Sequence, residues 1–469
     1  MVHTAVVGGG IGGLAVGLFL GRRGHRVTIL ERETRCAGAD LDTDFLHWTR
    51  PASPQAVQPH SLLGPVRTVL NDLAPDVHAE LLALGATEQH ELHRYGPPQP
   101  EPGDEELVTT RARRIVLESA LTRAVLAEPT VELRNGVGVT GLLTTRPARA
   151  EEPPRVTGVR TEQGGLPADL VIEAAGRRSG LARWLAAAGA RPPVQESQRT
   201  SIAYFCRWYR RPAGATEPEP TTLGGATAYA NCAVFPCDNG YFAVALSVSV
   251  ADPTRARLRD PAVFDAAARL FPGTAAWLEL DHQPVTPVHI MAGLENRWTA
   301  LVDEQGPVVT GLVSLGDSAI HTNPTLGQGI PLAFRAAHWL ACHADLTHPG
   351  LPTAYHRWRV EHLRPWYEAQ AAVDRAGQDR LQAAVTGAPL PPLTGDALLK
   401  AALGACGRED PAVGRARLHI RHLLRTDTET LATPAIRTRV EQWLRANPEF
   451  APGLSGPDRA TWETTVTGS

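Results

Sequence analysis

Apolar positions along this chain fall into two rhythms. Short runs such as Thr4-Ala5-Val6-Val7, Arg26–Leu30, Leu170–Ala174 and Pro307–Leu315 predict buried strands. Stretches repeating every three to four residues predict helices at Leu14–Arg23, Ser61–Leu73, Val77–Leu84, Thr110–Leu126, Leu181–Ala188 and Ile330–Ala344. Strands at Thr130–Arg134, Gly138–Leu143 and Arg155–Thr161 read as a small antiparallel meander that returns through Leu170–Ala174 to the main sheet. Between Thr200 and Val250 the texture changes. Ile202–Tyr209, Thr227–Ala230 and Tyr241–Leu246 alternate aromatic and aliphatic residues like sheet strands, with Asp238-Asn239-Gly240 as a hairpin turn. Helix Pro261–Leu270 and strand Val285–Ile290 follow. Beyond Pro352 the pattern is helical only, at Ala354–Ala376, Gln378–Ala384, Ala397–Leu403, Pro411–Leu424 and Pro434–Ala446, with Ser455–Ser469 expected to fray.

Two loops interrupt these elements with chemistry. The first, Gly8-Gly9-Gly10-Ile11-Gly12-Gly13, joins a strand to a helix and fits G-x-G-x-x-G. Gly8 permits the tight turn, Gly10 lets a pyrophosphate approach the backbone, and Gly13 lets the helix pack on the strand. Glu31, 18 residues after Gly13, ends the next strand where a carboxylate can accept from ribose hydroxyls. That acid disfavours a 2′-phosphate and leaves NAD and FAD as the dinucleotides for the site. The second loop runs from Gly316-Asp317 through Asn323-Pro324 to Gly327-Gln328-Gly329 and opens a helix. It presents one carboxylate and several free backbone N–H groups to an anionic ligand. A third loop, Arg50–His60, carries Pro51, Pro54 and Pro59; proline this dense cannot continue a regular element, so contacts must hold it.

Composition narrows the class. With 469 residues and a net charge of −3, the chain can fill two or three domains and has no basic field for nucleic acid. No apolar run approaches the roughly 18 residues of a membrane span. Strand-like sequence from Thr4 leaves no room for a signal peptide. The six cysteines include no C-x-x-C pair, so they read as free thiols in a reducing cytoplasm and not as a metal site. Lys400 is the only lysine.

Taken in order, Gly8–Gly13 with Glu31, then Asp169-Leu170-Val171-Ile172-Glu173-Ala174-Ala175-Gly176-Arg177-Arg178-Ser179, then Gly316-Asp317…Asn323-Pro324…Gly327-Gln328-Gly329, resemble the flavin monooxygenases of the p-hydroxybenzoate hydroxylase fold. The middle motif is most similar to the branch near styrene monooxygenase and squalene epoxidase. The resemblance covers residues 1 to about 375. It implies an α/β chain of α+β two-domain type, with a Rossmann-like FAD-binding domain (1–76, 105–195 and 300–350). A β-sheet substrate domain (77–104 and 196–299) and a C-terminal helical region (351–469) complete it.

The cofactor so implied is FAD, held by Gly8, Gly10, Gly13, Glu31 and Arg32. Asp317 would bond the ribityl chain and the pyrophosphate side, Arg114 would lie against the phosphates or the ribityl hydroxyls, and the backbone of Val139 would meet adenine. Pro324 would lie flat by the isoalloxazine ring, and the N–H groups of Leu326, Gly327, Gln328 and Gly329 would stabilise negative charge on it. Gln55 and His60 match a polar pair near the ring in related sequences; the competing reading has His60 capping the following helix. Reduced FAD would react with molecular oxygen to give a C(4a)-hydroperoxide, whose distal oxygen passes to an apolar or aromatic small molecule. Tyr204, Phe205, Trp208, Tyr229 and Phe242 are the aromatic candidates for the substrate wall, against the competing reading that each is core.

Two departures qualify this picture. Hydroxylases of the fold that take hydride directly carry Asp-Gly where Ala175-Gly176 stands, so the reductant, NADH or NADPH, is expected to act either directly or through a separate flavin reductase. Flavin-dependent halogenases need W-x-W-x-I-P and a nearby lysine, and Trp208-Tyr209-Arg210-Arg211-Pro212 with a distant Lys400 fails on both counts. Reductases or cyclases of prenyl-type substrates and flavin-free lipid binders stand as alternatives. The expected state is a cytoplasmic monomer or homodimer.

Overall fold

The computed structural model describes residues 1–95, 101–145, 149, 152–212, 214–218, 223–390, 392–450 and 455–468. Its centre is a five-stranded parallel sheet in the order Leu312–Ser314, Leu170–Glu173, His3–Val7, Arg26–Glu31, Val131–Asn135. These strands are buried on both faces, which explains their unbroken apolar runs. The Ile11–Arg22 helix packs so closely on its strand that a Cβ at Gly13 would lie 1.9 Å from the Gly8 carbonyl oxygen.

A second, antiparallel sheet joins Gly224–Ala226, Ala230–Pro236, Tyr241–Ser249, Ile202–Arg210 and Gln283–Pro284, with His289–Met291 also pairing Ile202–Arg210. The Asp238–Gly240 turn does close a hairpin, and Asn239 takes the left-handed φ of 50° that such a turn requires. One face of this sheet packs towards the parallel sheet through Cys206, Trp208, Tyr241 and Ala243. The opposite face forms its own core from Phe205, Tyr209, Phe242, Leu246 and Trp277. Helices from Gly395 to Ala446 build a separate small core around Leu403, Val413, Leu431 and Val440.

Several boundaries differ from the sequence pattern, each for a tertiary reason. Thr110 and Arg111 belong to a strand, Val108–Arg111, paired with Thr87–His90, and the helix begins only at Arg114. The strand at 131–135 joins the parallel sheet, while the meander consists of Val139–Thr145, Arg155–Thr161 and an unforeseen Gly164–Pro167. Thr227–Tyr229 is a turn and not strand, because the Thr227 hydroxyl accepts from the N–H groups of Tyr229 and Ala230. Of the run 307–315, only Leu312–Ser314 pairs in the parallel sheet. The long helix expected at 354–376 breaks into Leu351–His362 and Arg364–Thr386, where Pro365 cannot supply a helical N–H. Part of the polar connection before Asp104, residues 96–100, lies outside the described residues.

The C-terminus is not frayed over its described part. Arg459–Thr467 is a helix capped by Asp458, and it drives Trp462 into the core beneath the antiparallel sheet. The Tyr229 hydroxyl donates to the Pro457 carbonyl at 2.7 Å and Trp462 Nε1 donates to Thr254 Oγ1 at 3.1 Å. Sequence patterning missed this because the anchors of the short helix, Trp462, Val466 and the Arg459–Asp252 ion pair, meet partners far away in the chain. Trp462→Ala should lower the unfolding free energy by about 3–5 kcal/mol. Urea denaturation checks this, and a loss below about 1 kcal/mol would mean that the helix is not docked.

Candidate functional site

One cavity of about 1480 Å³ runs from the first glycine loop past Pro324 to the antiparallel sheet. Two helix N-termini point into it. The Ile11–Arg22 helix starts at Gly10 and the Gly329–Cys342 helix at Gln328, and neither has a side-chain cap, so their first N–H groups are left for a ligand. Gly8, at φ 106°, makes the turn that aims the first helix. A Cβ on Gly10 would meet nothing within 4 Å, so open cavity lies over that residue where an anionic group can approach the backbone.

Charged groups at this end are already ordered. Glu31 accepts from the N–H groups of Gly9 at 2.6 Å and Glu33 at 2.9 Å. Arg114 Nε donates to Glu118 Oε1 at 3.0 Å, and Arg50 pairs with the same carboxylate. Burial pushes the Glu118 carboxyl up, but Arg114 and Arg50 outweigh it and hold the group below its usual range. Asp317 behaves likewise. Burial opposes its charge, while His321 Nδ1 at 3.4 Å, Arg114 and Arg177 favour it, and the balance lies below the usual carboxylate range. Gln328 Oε1 and His321 Nε2 are buried without a partner among the described residues, and both residues line the cavity. An open glycine cradle, a charged Asp317 and two orphan polar atoms together fit a dinucleotide with a polar ring edge.

The proline-rich loop is held from three sides. Arg50 reaches Glu33 as well as Glu118, and the Ala52 N–H donates to Glu33 at 3.2 Å. From below, Trp208 Nε1 donates to the Val57 carbonyl at 2.7 Å. His60 does not cap the next helix. Its Nδ1–H donates to the Gln58 carbonyl at 2.8 Å, which leaves Nε2 as an acceptor. Burial, then the nearby Arg114, lowers the His60 pKa to about 4, so the ring is neutral at pH 7.

Residues 6–44 match the family described as NAD(P)-binding Rossmann-like domain. Among curated proteins, Protein Rv3254 of Mycobacterium tuberculosis is 25% identical over 359 residues, covering 72% of each chain. Among solved structures, PqsL of Pseudomonas aeruginosa, a probable FAD-dependent monooxygenase, matches with TM-score 0.58 at 18% identity over 82% of this chain and 99% of its own. PqsL has also been solved with 2-aminobenzoylacetate. OxyS anhydrotetracycline hydroxylase of Streptomyces rimosus matches with TM-score 0.53 at 16% identity over 90% of this chain and 76% of its own. The fold is that of the FAD-dependent monooxygenases.

Within this monooxygenase fold, Gly8, Gly10, Glu31, Arg32, Gln55, His60, Arg114, Val139, Asp317, Pro324, Leu326, Gly327, Gln328 and Gly329 all line the one cavity. Gly13 lies behind it as the packing glycine. Of the five aromatics proposed for the substrate wall, only Tyr204 reaches the cavity. Phe205 and Phe242 face the opposite side of the sheet, Trp208 packs edge-on against Phe45, and Tyr229 packs against Trp462. Strand alternation sends Phe205 and Phe242 to the opposite face; Trp208, four residues from Tyr204, shares its face but is covered by the loop it bonds at Val57, and Tyr229 lies in a turn. Register then identifies the real floor: Tyr204 pairs with Ser247, which pairs with Asn231, and Ala245 pairs with Ala233. These four partners line the cavity together with Phe235 and Met291. Applying the period of two from Tyr204 along its strand would have separated the two faces; the cross-strand register would not have been visible.

Two variants test the site. Gly10→Val should leave the fold intact, because its side chain has free space, yet abolish FAD binding by filling the pyrophosphate approach. Unchanged FAD affinity by equilibrium dialysis would refute that placement. For His60, the folded pKa of about 4 lies below the ordinary 6.5, so between these values the unfolded chain binds more protons. Stability is therefore lost as pH falls from about 6.5 to about 4. His60→Gln should flatten that part of the profile, measured by urea unfolding at pH 7 and pH 5.

Proposed function

We propose that this chain is an FAD-dependent monooxygenase that inserts one oxygen atom, by hydroxylation or epoxidation, into an apolar or aromatic small molecule. The observation that carries the reading is the continuity of the cavity, in which dinucleotide cradle, Pro324 loop and mixed sheet floor form one space. In this reading Gly8–Gly13 and Arg114 take the pyrophosphate, Glu31 and Arg32 the ribose, Val139 the adenine and Asp317 the ribityl chain. When bound and reduced, FAD would supply the activation of molecular oxygen.

The chain's own residues would do the rest. The N–H groups of Leu326, Gln328 and Gly329, at the start of a helix, would stabilise negative charge on a bound flavin, while that of Gly327 is donated to the Pro324 carbonyl at 2.9 Å. Pro324 offers a flat apolar surface with no N–H to compete. Neutral His60 presents Nε2 as an acceptor without adding positive charge. Ala233, Phe235, Ala245 and Met291 hold an apolar ligand and exclude water, while Tyr204, Asn231 and Ser247 supply a few polar contacts to orient it. NADH or NADPH would be the reductant, directly or through a separate flavin reductase. Flavin-dependent halogenases share the fold, but against that reading the sole lysine, Lys400, pairs with Asp427 at 2.9 Å and does not line the cavity.

The purified protein should show visible flavin bands and, with NADH or NADPH, consume oxygen, either alone or with an added flavin reductase. Label from ¹⁸O₂ should appear in the oxidised product of an aromatic substrate panel. A colourless protein that takes up no added FAD would sink the assignment.

A further inference from the structure

Behind Pro324 lies a closed set of buried polar groups that the reaction above does not use. Asp374, on the Arg364–Thr386 helix, is 7% exposed, and Asn296, Asn323 and Gln370 are fully buried. Asp374 accepts from three amides: Asn296 Nδ2 at 2.6 Å, Asn323 Nδ2 at 2.9 Å and Gln370 Nε2 at 3.0 Å. A carboxylate oxygen only accepts, so the nitrogen of Asn323 must face Asp374 and its oxygen must face the other way.

Asn296 shows independently that Asp374 is the acceptor. Its Nδ2 faces Asp374 while its Oδ1 accepts the Asn323 backbone N–H at 2.7 Å. Turning that amide over would set oxygen against carboxylate and N–H against N–H.

The outward oxygen of Asn323 meets the Tyr204 hydroxyl at 2.7 Å. An amide oxygen cannot donate, so Tyr204 commits its single proton there, and burial keeps the phenol protonated by raising its pKa. The phenol oxygen is left to accept, with Thr325 Oγ1 at 2.5 Å on one side and the cavity on the other.

We propose that Asp374 is a positioning residue that fixes the Asn323 amide and so sets Tyr204 as a hydrogen-bond acceptor toward the cavity, selecting ligands that carry an O–H or N–H donor beside Pro324. The ligand class rests on the cavity being the substrate site; the orientation of Tyr204 does not.

The test uses the full chain labelled with [¹³Cζ]tyrosine, with Tyr204→Phe assigning the Tyr204 resonance. Asp374→Leu takes the acceptor away from all three amides and should displace that resonance. Asp374→Asn combined with Asn323→Asp instead reverses donor and acceptor across the same contact and should bring the resonance back towards the wild-type position. A purely structural role predicts a lower melting temperature with the Tyr204 signal unmoved, and that result overturns the proposal. If the single variant does not fold, the exchanged pair decides alone: a displaced Tyr204 signal, or failure to fold, overturns the proposal. The ligand class is read with 2-naphthol and 2-methoxynaphthalene. The naphthol should bind roughly fivefold tighter, and Tyr204→Phe should abolish the difference. Equal affinity, or binding of neither, overturns the ligand class. Absence of FAD binding would defeat the monooxygenase reading while leaving the Tyr204 signal and its dependence on Asp374 in place.

Discussion

The buried pair of Arg113 and Asp238 ties the two halves of this molecule together. Asp238 sits at the hairpin tip of the antiparallel sheet, and Arg113 immediately precedes the helix that carries Arg114 and Glu118 into the cavity. Arg113 Nε and Nη2 donate to Asp238 Oδ2 at 2.9 and 2.6 Å, and the backbone N–H of Arg113 donates to Asp238 Oδ1 at 2.6 Å. Asp42 takes a further bond at 2.7 Å, and the guanidinium lies 3.7 Å from the centre of the Tyr241 ring. Losing one partner of such a buried pair strands the other, at a cost of about 3–5 kcal/mol. The sheet that forms the cavity floor is thereby held in one orientation to the helix that forms its charged wall.

Electrostatic character changes along the cavity in step with what each end would hold. At the nucleotide end, backbone N–H groups of two helices and the Arg50–Glu118–Arg114 chain provide charge that is already paired and oriented. Toward the sheet, the lining turns to Ala233, Phe235, Ala245, Ile290 and Met291, with polar groups confined to a few points. A preorganised charged end and a mostly apolar far end suit a ligand site built on a rigid scaffold.

The C-terminal helices complete that far end. The Pro411–Arg421 helix contributes Leu418, Ile420 and Arg421 to the cavity lining. Arg421 Nε bonds both oxygens of Glu91, at 2.9 and 3.0 Å, and Thr109 donates to the same carboxylate at 2.5 Å. His422 Nδ1 accepts the backbone N–H of Gly64 at 2.9 Å, capping a helix far away in sequence. Arg335 on the Gly329–Cys342 helix donates to the Leu423 carbonyl at 3.1 Å. A segment outside the resembling part of the chain is thus joined to the centre by side-chain bonds.

How much of this the sequence held depends on the range of the interaction. Gly8, Gly10, Gly13, Glu31 and the Asp317 loop were legible because turn geometry, close helix packing and helix-start N–H groups are local properties of a few neighbouring residues. The parallel strands were legible because burial on both faces leaves an unbroken apolar run. Trp208, by contrast, has the composition of a substrate wall and shares a strand face with Tyr204, yet it serves as the prop beneath Val57, because the proline-rich loop folds over it. Nothing in the helical pattern at 354–376 singles out Asp374, and only folding brought it against Asn296 and Asn323, which lie 78 and 51 residues away. The sequence by itself determined where a dinucleotide can approach the backbone, since that depends on bonds within one turn. Tertiary structure alone decided which side chains line the cavity, since that depends on strand register and on the burial of polar groups that must find distant partners.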